Sequence, residues 1–214
     1  MSFIPTRRAL VPLIATGILW TLGSAASAQH MTRSKDELKL MKAPGIDQAF
    51  NMADVDFMAG MIPHHAQAVV MAKMAPSQGE SPTLKNLCER IVVGQGYEIK
   101  MMRQWLADRG QDVPPADATR YRMKMGDMVH EMLMPGMLTD EEMAALGKAR
   151  GKEWDRLFLI GMIKHHQGAI DMVEVLAKSW GSMQGDDIYK FSSDVYADQT
   201  TEIEVMKQML AAIK

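Results

Sequence analysis

The chain has 214 residues, a formal net charge of −2 and one cysteine. This length is enough for one domain with a substantial core, and a lone cysteine excludes an internal disulfide. The slightly acidic charge offers no basic surface for nucleic acid, so we expect no nucleic-acid partner. Methionine is the unusual residue, with 22 copies against 5 phenylalanines and 4 tyrosines.

The first 28 residues have the features of a signal peptide. Arg7 and Arg8 supply the positive start, residues 9–22 are apolar, and the small residues at 26–28 fit the cleavage rule. The adjacent arginines also resemble a twin-arginine export signal. The apolar run is shorter than the roughly 20 residues of a spanning helix, which disfavours the alternative of a retained anchor. We therefore predict cleavage after Ala28, a periplasmic protein and no stable membrane anchor.

Removal of this peptide makes the chain more acidic. It takes away two arginines and no acid, so 22 basic residues remain against 26 acidic ones and the charge becomes −4.

Helical periodicity dominates the rest of the chain, and no segment has the pattern of a strand. Ser81 before Pro82 predicts a helix start, Gly110 predicts the end of that helix, and a capping box at Thr139 starts a short helix. Pro63 removes a backbone hydrogen bond and predicts a kink in the first helix. In chain order, the predicted helices cover residues 47–75, 83–109, 119–134, 140–150, 153–180 and 187–212.

Two stretches repeat each other at an offset of 101 residues. Residues 54–71 and 155–172 are identical at 9 of 18 positions, and both contain a pair of adjacent histidines. A second block follows each copy in the same order, beginning at Gln95 and at Gln199. Two blocks that match in the same order indicate an internal duplication.

The duplication predicts the fold and its domain organisation. Two similar hairpins can bury their apolar stripes against each other, so we predict an all-α fold, a four-helix bundle of two repeated helical hairpins with a Met-rich helical insert between them. The predicted boundaries are a signal peptide 1–28, an N-terminal segment 29–46 and a single helical domain 47–212, which comprises repeat one 47–109, the insert 110–152 and repeat two 153–212.

The repeated histidine pairs are the leading candidates for a functional site. In the first copy Met61 lies one helical turn before His64 and His65, on the inward stripe, and the second copy has the same arrangement. Buried histidines without a ligand would need hydrogen-bond partners for their ring nitrogens. The alternative is a set of hydrogen-bonded core histidines with methionine as filler. The candidate metal ligands on these two helices are Met61, His64, His65, Met162, His165 and His166.

The partner helices contribute a second set of candidates. Met102 and Met206 occupy matching positions, and they are expected to approach the histidines from the partner helices. Glu98 and Glu202 are either direct ligands or acceptors that orient a histidine ring N–H, with a surface salt bridge as the alternative.

The donor types favour copper. Thioether and imidazole suit copper, above all Cu(I), with Cu(II) as the second choice. Zinc would more usually draw on Cys, His and carboxylate, and a di-iron bundle would show Glu-x-x-His motifs, which no histidine here has. Cys88 is open to three interpretations: a buried thiol, a link between chains or a thiolate ligand.

The insert carries a second group of soft donors. Met125, Met128 and Met132 would share one face of the predicted helix, with His130 among them. We interpret this group as an auxiliary Cu(I) site or a flexible lid, and the alternative is the apolar side of an amphipathic helix.

The repeated motifs resemble the duplicated signature of domain-of-unknown-function family 305. The motif D-x-x-F-M-x-x-M-I-P-H-H-x-x-A begins at Asp54 and its counterpart at Asp155, and Q-x-x-E-I-x-x-M begins at Gln95 and Gln199. The resemblance covers about residues 47–212. It implies a ferritin-like four-helix bundle, export, and a role in copper binding or resistance that uses the Met and His residues of the motif.

The two copies depart from each other beside the histidines. Lys164 stands where the first copy has Pro63. A cation at that position is expected to weaken the second site or to make the two sites unequal.

These observations together predict a periplasmic protein that sequesters or hands over Cu(I) or Cu(II) and contributes to copper tolerance, by binding rather than by turnover. Its expected partners are copper ions, other periplasmic copper-handling proteins and a second copy of itself. Three alternatives remain open: a metal-dependent oxidase on a ferritin-like bundle, a haem-binding bundle with Met and His axial ligands, and a metal-free chaperone-like bundle.

Overall fold

A computed structural model describes residue 35, residues 38–125 and residues 128–213, so the predicted signal peptide lies outside the described residues. Within these ranges, no helix combines the length and the apolar character needed to cross a membrane. The elements in chain order are α1 (Met52–Ala72), α2 (Ala75–Gln78), α3 (Pro82–Asp108), β1 (Tyr121–Met125), β2 (Met128–Met132), α4 (Asp140–Lys148), α5 (Gly151–Lys178) and α6 (Asp186–Ala212).

The four long helices form a bundle. α1 packs against α3, α5 packs against α6, and α1 and α5 pack against each other. The two helices that carry the histidine pairs are therefore neighbours at the centre, and α3 and α6 lie outside them. The predicted four-helix bundle is confirmed.

Local capping explains where these helices begin and end. The side chain of Ser81 accepts a hydrogen bond from the backbone N–H of Leu84, and Thr139 forms a reciprocal capping box with Glu142. At the end of α3, Gly110 has a φ of +63°, a left-handed conformation that glycine adopts without strain. These three predicted helix boundaries are confirmed.

An aspartate near the start of each histidine helix ties the two hairpins together. The buried Asp54 accepts a hydrogen bond from Met183 N at 2.8 Å, in the loop before α6. The equivalent Asp155 accepts from Glu80 N at 3.0 Å and Ser81 N at 2.9 Å, in the loop before α3. Each hairpin thus binds the connecting loop of the other, which fixes α1 and α5 relative to each other.

The prediction of a helix at 119–134 is wrong, because this segment forms an antiparallel hairpin of β1 and β2. Tyr121 pairs with Met132 and Met123 pairs with His130. Apolar and basic residues alternate along β1, and this alternation is the period of a strand rather than of a helix. The frequent methionines favoured a helix by their intrinsic propensity, and pairing with the second strand overrides that preference.

After the hairpin, residues 133–138, which we call the strap, cross the seam between α1 and α5. On α1, the Gln67 side chain donates to Leu138 O at 2.9 Å and accepts from Leu138 N at 2.7 Å. On α5, Gly168 lies so close to the strap that a Cβ atom there would overlap the carbonyl oxygen of Pro135. The strap is therefore fixed to both histidine helices.

Candidate metal centre

Four histidines lie at the centre of the bundle, and each is 0% exposed. His64 of α1 and His165 of α5, the inner pair, meet across the helix interface with ring centroids 3.8 Å apart. His65 and His166, the outer pair, lie farther from their chain neighbours, with centroid separations of 6.1 and 6.2 Å. The fold thus gathers both sequence pairs in one interior region.

Each outer histidine binds a glutamate from its partner helix. The distance from His65 Nε2 to Glu98 Oε2 is 2.7 Å, and the distance from His166 Nε2 to Glu202 Oε2 is also 2.7 Å. A carboxylate acceptor holds the proton on Nε2 and leaves the lone pair on Nδ1. The geometry therefore favours orienting acceptors, rather than direct ligands, as the role of the two glutamates.

The inner histidines are neutral. Burial lowers the pKa of His64 and of His165 well below 6.5, and the positive charge of a neighbouring histidine lowers each further. A neutral imidazole has a lone pair that can coordinate a metal.

Several ring nitrogens of this group have no hydrogen-bond partner in the described part of the chain. A buried polar atom without a partner costs about 1–3 kcal/mol, and metal coordination would satisfy such atoms, so the donor set fits a metal. The unpartnered atoms are Nδ1 of His64, Nδ1 of His65, both ring nitrogens of His165 and Nδ1 of His166.

The candidate methionines of the bundle are fully buried. Met61 and Met102 belong to one apolar cluster, and Met162 and Met206 belong to a second. All four are 0% exposed, as the helical stripes predicted. Within the described residues, no three His, Cys, Asp or Glu side chains are arranged to hold a metal ion, and thioethers add to the donors that these residues supply.

The candidates in the insert lie apart from the histidines, on the hairpin. Met128 is 64% exposed, His130 is exposed and Met132 is half-buried. Met125 pairs with Met128 at the end of the hairpin. The predicted helical face does not exist, but Met128, His130 and Met132 share one face of β2, because side chains alternate along a strand.

Sequence reasoning missed two parts of this region. The first is the carbonyl of Pro135, to which His64 Nε2 donates at 3.0 Å. The second is a cleft of about 310 Å3 between α3 and α6, which we call the α3–α6 cleft. The cleft is lined by Arg90, Ile91, Gly94, Gln95, Glu98, Asp198, Gln199, Thr201 and Glu202.

Some of the residues that line this cleft could be found from the sequence, because they belong to the internal repeat. Gln95, Gln199 and the two glutamates belong to the repeated blocks, but Asp198 has no counterpart, because Gly94 occupies the matching position. Burial raises the pKa of Asp198, and the negative charges of Glu98 and Glu202 raise it further.

Two other residues have an environment that narrows their roles. Cys88 is a buried free thiol, and burial raises its pKa to about 12, with a further contribution from Asp155. It is therefore a protonated thiol rather than a thiolate ligand.

Lys164 is exposed and its Nζ lies 2.8 Å from Glu142 Oε2, so its charge is directed to α4. This ion pair argues against the expectation that Lys164 makes the two sites unequal, which stays a prediction.

Comparison with known proteins identifies the group to which the chain is similar. The model of the family "Domain of unknown function (DUF305)" matches residues 54–210. The crystal structure of a DUF305 protein from Streptomyces coelicolor has a TM-score of 0.62 and 25% identity, over 74% of this chain and 92% of that one.

CopM is a second structural neighbour. Its Cu(II)-bound form has a TM-score of 0.56 and 30% identity, over 74% of this chain and 95% of CopM. Its Cu(I)-bound form has a TM-score of 0.55 and 31% identity, over 73% and 94%. CopM has also been crystallised with silver.

One curated relative, the uncharacterized protein L153 of Acanthamoeba polyphaga mimivirus, is 37% identical over 62 residues. The match spans 29% of this chain and 40% of the length of that relative.

Proposed function

This chain belongs to the DUF305 family, and on that basis we propose that it binds copper ions through the Met and His residues at the centre of its bundle. The observation that carries the proposal is a set of five ring nitrogens, on four fully buried histidines, for which the described residues supply no hydrogen-bond partner. A bundle evolved only for packing would have little reason to retain polar atoms that cost free energy in its core.

The imidazole nitrogens and thioether sulfurs of this region favour copper over other metals. Imidazole and thioether are ligands of Cu(I), and they bind hard cations poorly. Burial keeps the inner histidines neutral, so that binding requires no loss of a proton from a charged ring. CopM, at 30% identity, has structures with Cu(II), Cu(I) and silver, and silver is a soft monovalent cation like Cu(I).

We propose that the protein works in the periplasm, after cleavage at Ala28, by sequestration or transfer of copper. Soft donors in a water-poor interior lower the concentration of free copper and limit its redox chemistry. Transfer would require a periplasmic copper-handling partner. Because the ligands are assembled only in the folded bundle, binding should also raise the unfolding temperature.

We propose a second, auxiliary Cu(I) site on the hairpin. Side chains alternate between the two faces of a strand, so Met128, His130 and Met132 of β2 share one face, and strand pairing places Met123 opposite His130 on that face. Met123 also lines a cavity of about 620 Å3 between α1, residues 110–118 and the hairpin. A thioether and an imidazole directly opposite each other are close enough to share one ion.

The test of the central site is metal analysis of the mature chain from copper-supplemented cells. Replacement of the four central histidines by alanine should remove the central copper, while copper on the hairpin remains. The matched control is Gln167→Ala, which changes an exposed side chain next to the second histidine pair on α5. Circular dichroism checks that the helices persist. A folded quadruple variant that keeps all of its copper would refute the central site.

The test of the auxiliary site is separate. Replacement of Met123, Met128 and Met132 by leucine preserves apolar volume and removes these three sulfurs, so the fold should persist and the copper stoichiometry should fall. An unchanged stoichiometry would eliminate the hairpin site and leave the central site untouched.

A further inference from the structure

The α3–α6 cleft opens the bundle on one side. The two histidine helices pack directly on each other, and each packs on its own partner helix. The residues that line the cleft come from both partner helices, α3 and α6. The cleft is therefore formed by the two partner helices, whereas the strap crosses the seam between α1 and α5.

Two buried amides line the cleft without satisfying their hydrogen-bonding capacity. Gln95 is 4% exposed and neither its Nε2 nor its Oε1 has a partner among the described residues, and Gln199 is 3% exposed with an unpartnered Oε1. A buried amide usually finds a partner, because an unsatisfied polar group is costly. The two amide oxygens are ligands suited to a passing cation.

The charges around these amides are mainly negative. Glu98, Asp198 and Glu202 line the cleft, and Arg90 is the one basic residue among the lining side chains. A cleft with walls of one sign concentrates the electric field and raises the local concentration of ions of the opposite charge. A cation in solution is therefore drawn to this opening.

One hydrogen bond links each of the two cleft glutamates to a proposed copper ligand. Glu98 and Glu202 each bind the Nε2 atom of an outer histidine at 2.7 Å. The strap, by contrast, contacts an inner histidine, His64, whose Nε2 donates to the carbonyl of Pro135. A route from the cleft to the histidines therefore passes the two glutamates.

We propose that the α3–α6 cleft is the entrance through which a copper cation reaches the central histidines, an inference that rests on the proposed function. Asp198 and the two glutamates attract the hydrated cation, and the oxygens of Gln95 and Gln199 replace part of its water. The ion then passes to the imidazoles and thioethers, which bind a soft cation more strongly than oxygen ligands do.

Gly94 provides a direct way to block this route. It lines the cleft, and a Cβ atom there would meet no atom within 4 Å. A substitution at this position therefore has room for its Cβ atom, and the longer side chain of Gly94→Leu would extend into the opening. The matched control is Gly96→Leu, on the same helix, where a Cβ atom also has open space but where the residue does not line the cleft.

The measurement is the rate of Ag⁺ uptake by the mature chain in nitrate buffer. Samples are quenched at intervals with excess thiol chelator and desalted, and their silver is counted by mass spectrometry. Gly94→Leu should slow uptake about tenfold, because a blocked opening forfeits at least the lower end of the rate gain that electrostatic focusing in clefts provides. The final stoichiometry should be unchanged. Gly96→Leu should match the wild type in both.

A charge variant tests the electrostatic part. Asp198→Asn should slow Ag⁺ uptake about threefold at low salt, and added salt should reduce the difference because it screens exposed charges. Equal uptake rates for the wild type, Gly94→Leu and Asp198→Asn, at full stoichiometry, would overturn the entrance and leave the copper site standing. A wild-type chain that binds neither Ag⁺ nor Cu(I) would instead overturn the proposed function, and the entrance with it.

Discussion

The two halves of the bundle present the same pair of histidines to unequal surroundings. The outer histidines are alike, since each is 2.7 Å from a glutamate of its partner helix. The inner histidines differ: His64 donates to the carbonyl of Pro135, whereas neither ring nitrogen of His165 has a partner in the described part of the chain. His165 therefore has the greater capacity to accept a new ligand.

The difference originates in one pair of matching positions. Gln67 on α1 and Gly168 on α5 are equivalent in the repeat. Gln67 binds the strap by two hydrogen bonds, and Gly168 admits it by the absence of a side chain. A single insert cannot contact two similar halves in the same way, so it makes them unequal. We learn from this that two copies of a motif do not guarantee two equal sites.

A side chain at Gly168 should have the largest effect on stability, because it displaces the strap that makes the two halves unequal. In Gly168→Ala the new Cβ atom would overlap backbone atoms of Pro135, so the strap must move away from α5. We expect a loss of about 3 kcal/mol in the free energy of unfolding, the upper part of the usual range for overpacking. Urea denaturation measures it.

Gly147→Ala is the control for this change, because a Cβ atom there meets nothing within 4 Å. The same free energy of unfolding for Gly168→Ala and the wild type would show that the strap is not held at this point.

The pH dependence of stability should show that the inner histidines are equally buried despite their different partners. Burial holds the pKa of His64 and His165 well below 6.5 in the folded protein, so the unfolded chain binds more protons below that pH. Their contribution to stability is full above pH 6.5 and is lost as the pH falls. For two protons, the metal-free protein should lose about 2.5 kcal/mol between pH 7 and pH 5.5.

Denaturation of His64→Gln and His165→Gln over the same pH range separates the two contributions. Each variant should lose half of the wild-type pH dependence. A reduction in only one of them would contradict equal burial.

Loss of the strap's other anchor should have a smaller effect. Gln67→Leu removes both hydrogen bonds to Leu138, and we expect destabilisation on the order of 2 kcal/mol. Faster hydrogen exchange at the Leu138 amide would locate the effect in the strap. The matched control is Gln167→Leu, an exposed glutamine whose side chain binds Asp171 on its own helix. Equal stability of the two variants would contradict the anchoring role.

The smallest effect is expected at Lys164, which faces away from the histidines. Its ion pair with Glu142 is exposed, so Lys164→Ala should cost at most about 0.5 kcal/mol and leave the copper stoichiometry unchanged. Thermal unfolding and metal analysis check both results. A gain in copper would show that the charge of Lys164 acts on the second histidine pair after all.

Much of the bundle was predictable from short-range patterns. A helix brings residues three and four positions apart onto one face, so the spacing of Phe57, Met61 and His64 was enough to predict a buried stripe. Helix caps depend on the side chains within one turn, so the helix starts at Ser81 and Thr139 are predictable from the sequence.

The insert shows where such patterns fail. Methionine fits a helix or a strand, and the choice between them at 121–132 depends on whether a second strand pairs with the first. That pairing is a contact between separate segments, and helical propensity does not describe it.

By itself, the sequence determined that the chain has four long helices and two inward histidine pairs, because the spacing of residues within a helix is fixed by covalent geometry. Only the tertiary structure decided that His64 and His165 are in contact, that Glu98 holds His65, and that the strap crosses the seam of α1 and α5 while a cleft opens between α3 and α6. These contacts depend on how separate helices pack and where a connecting segment crosses them, and residues far apart in the chain set both.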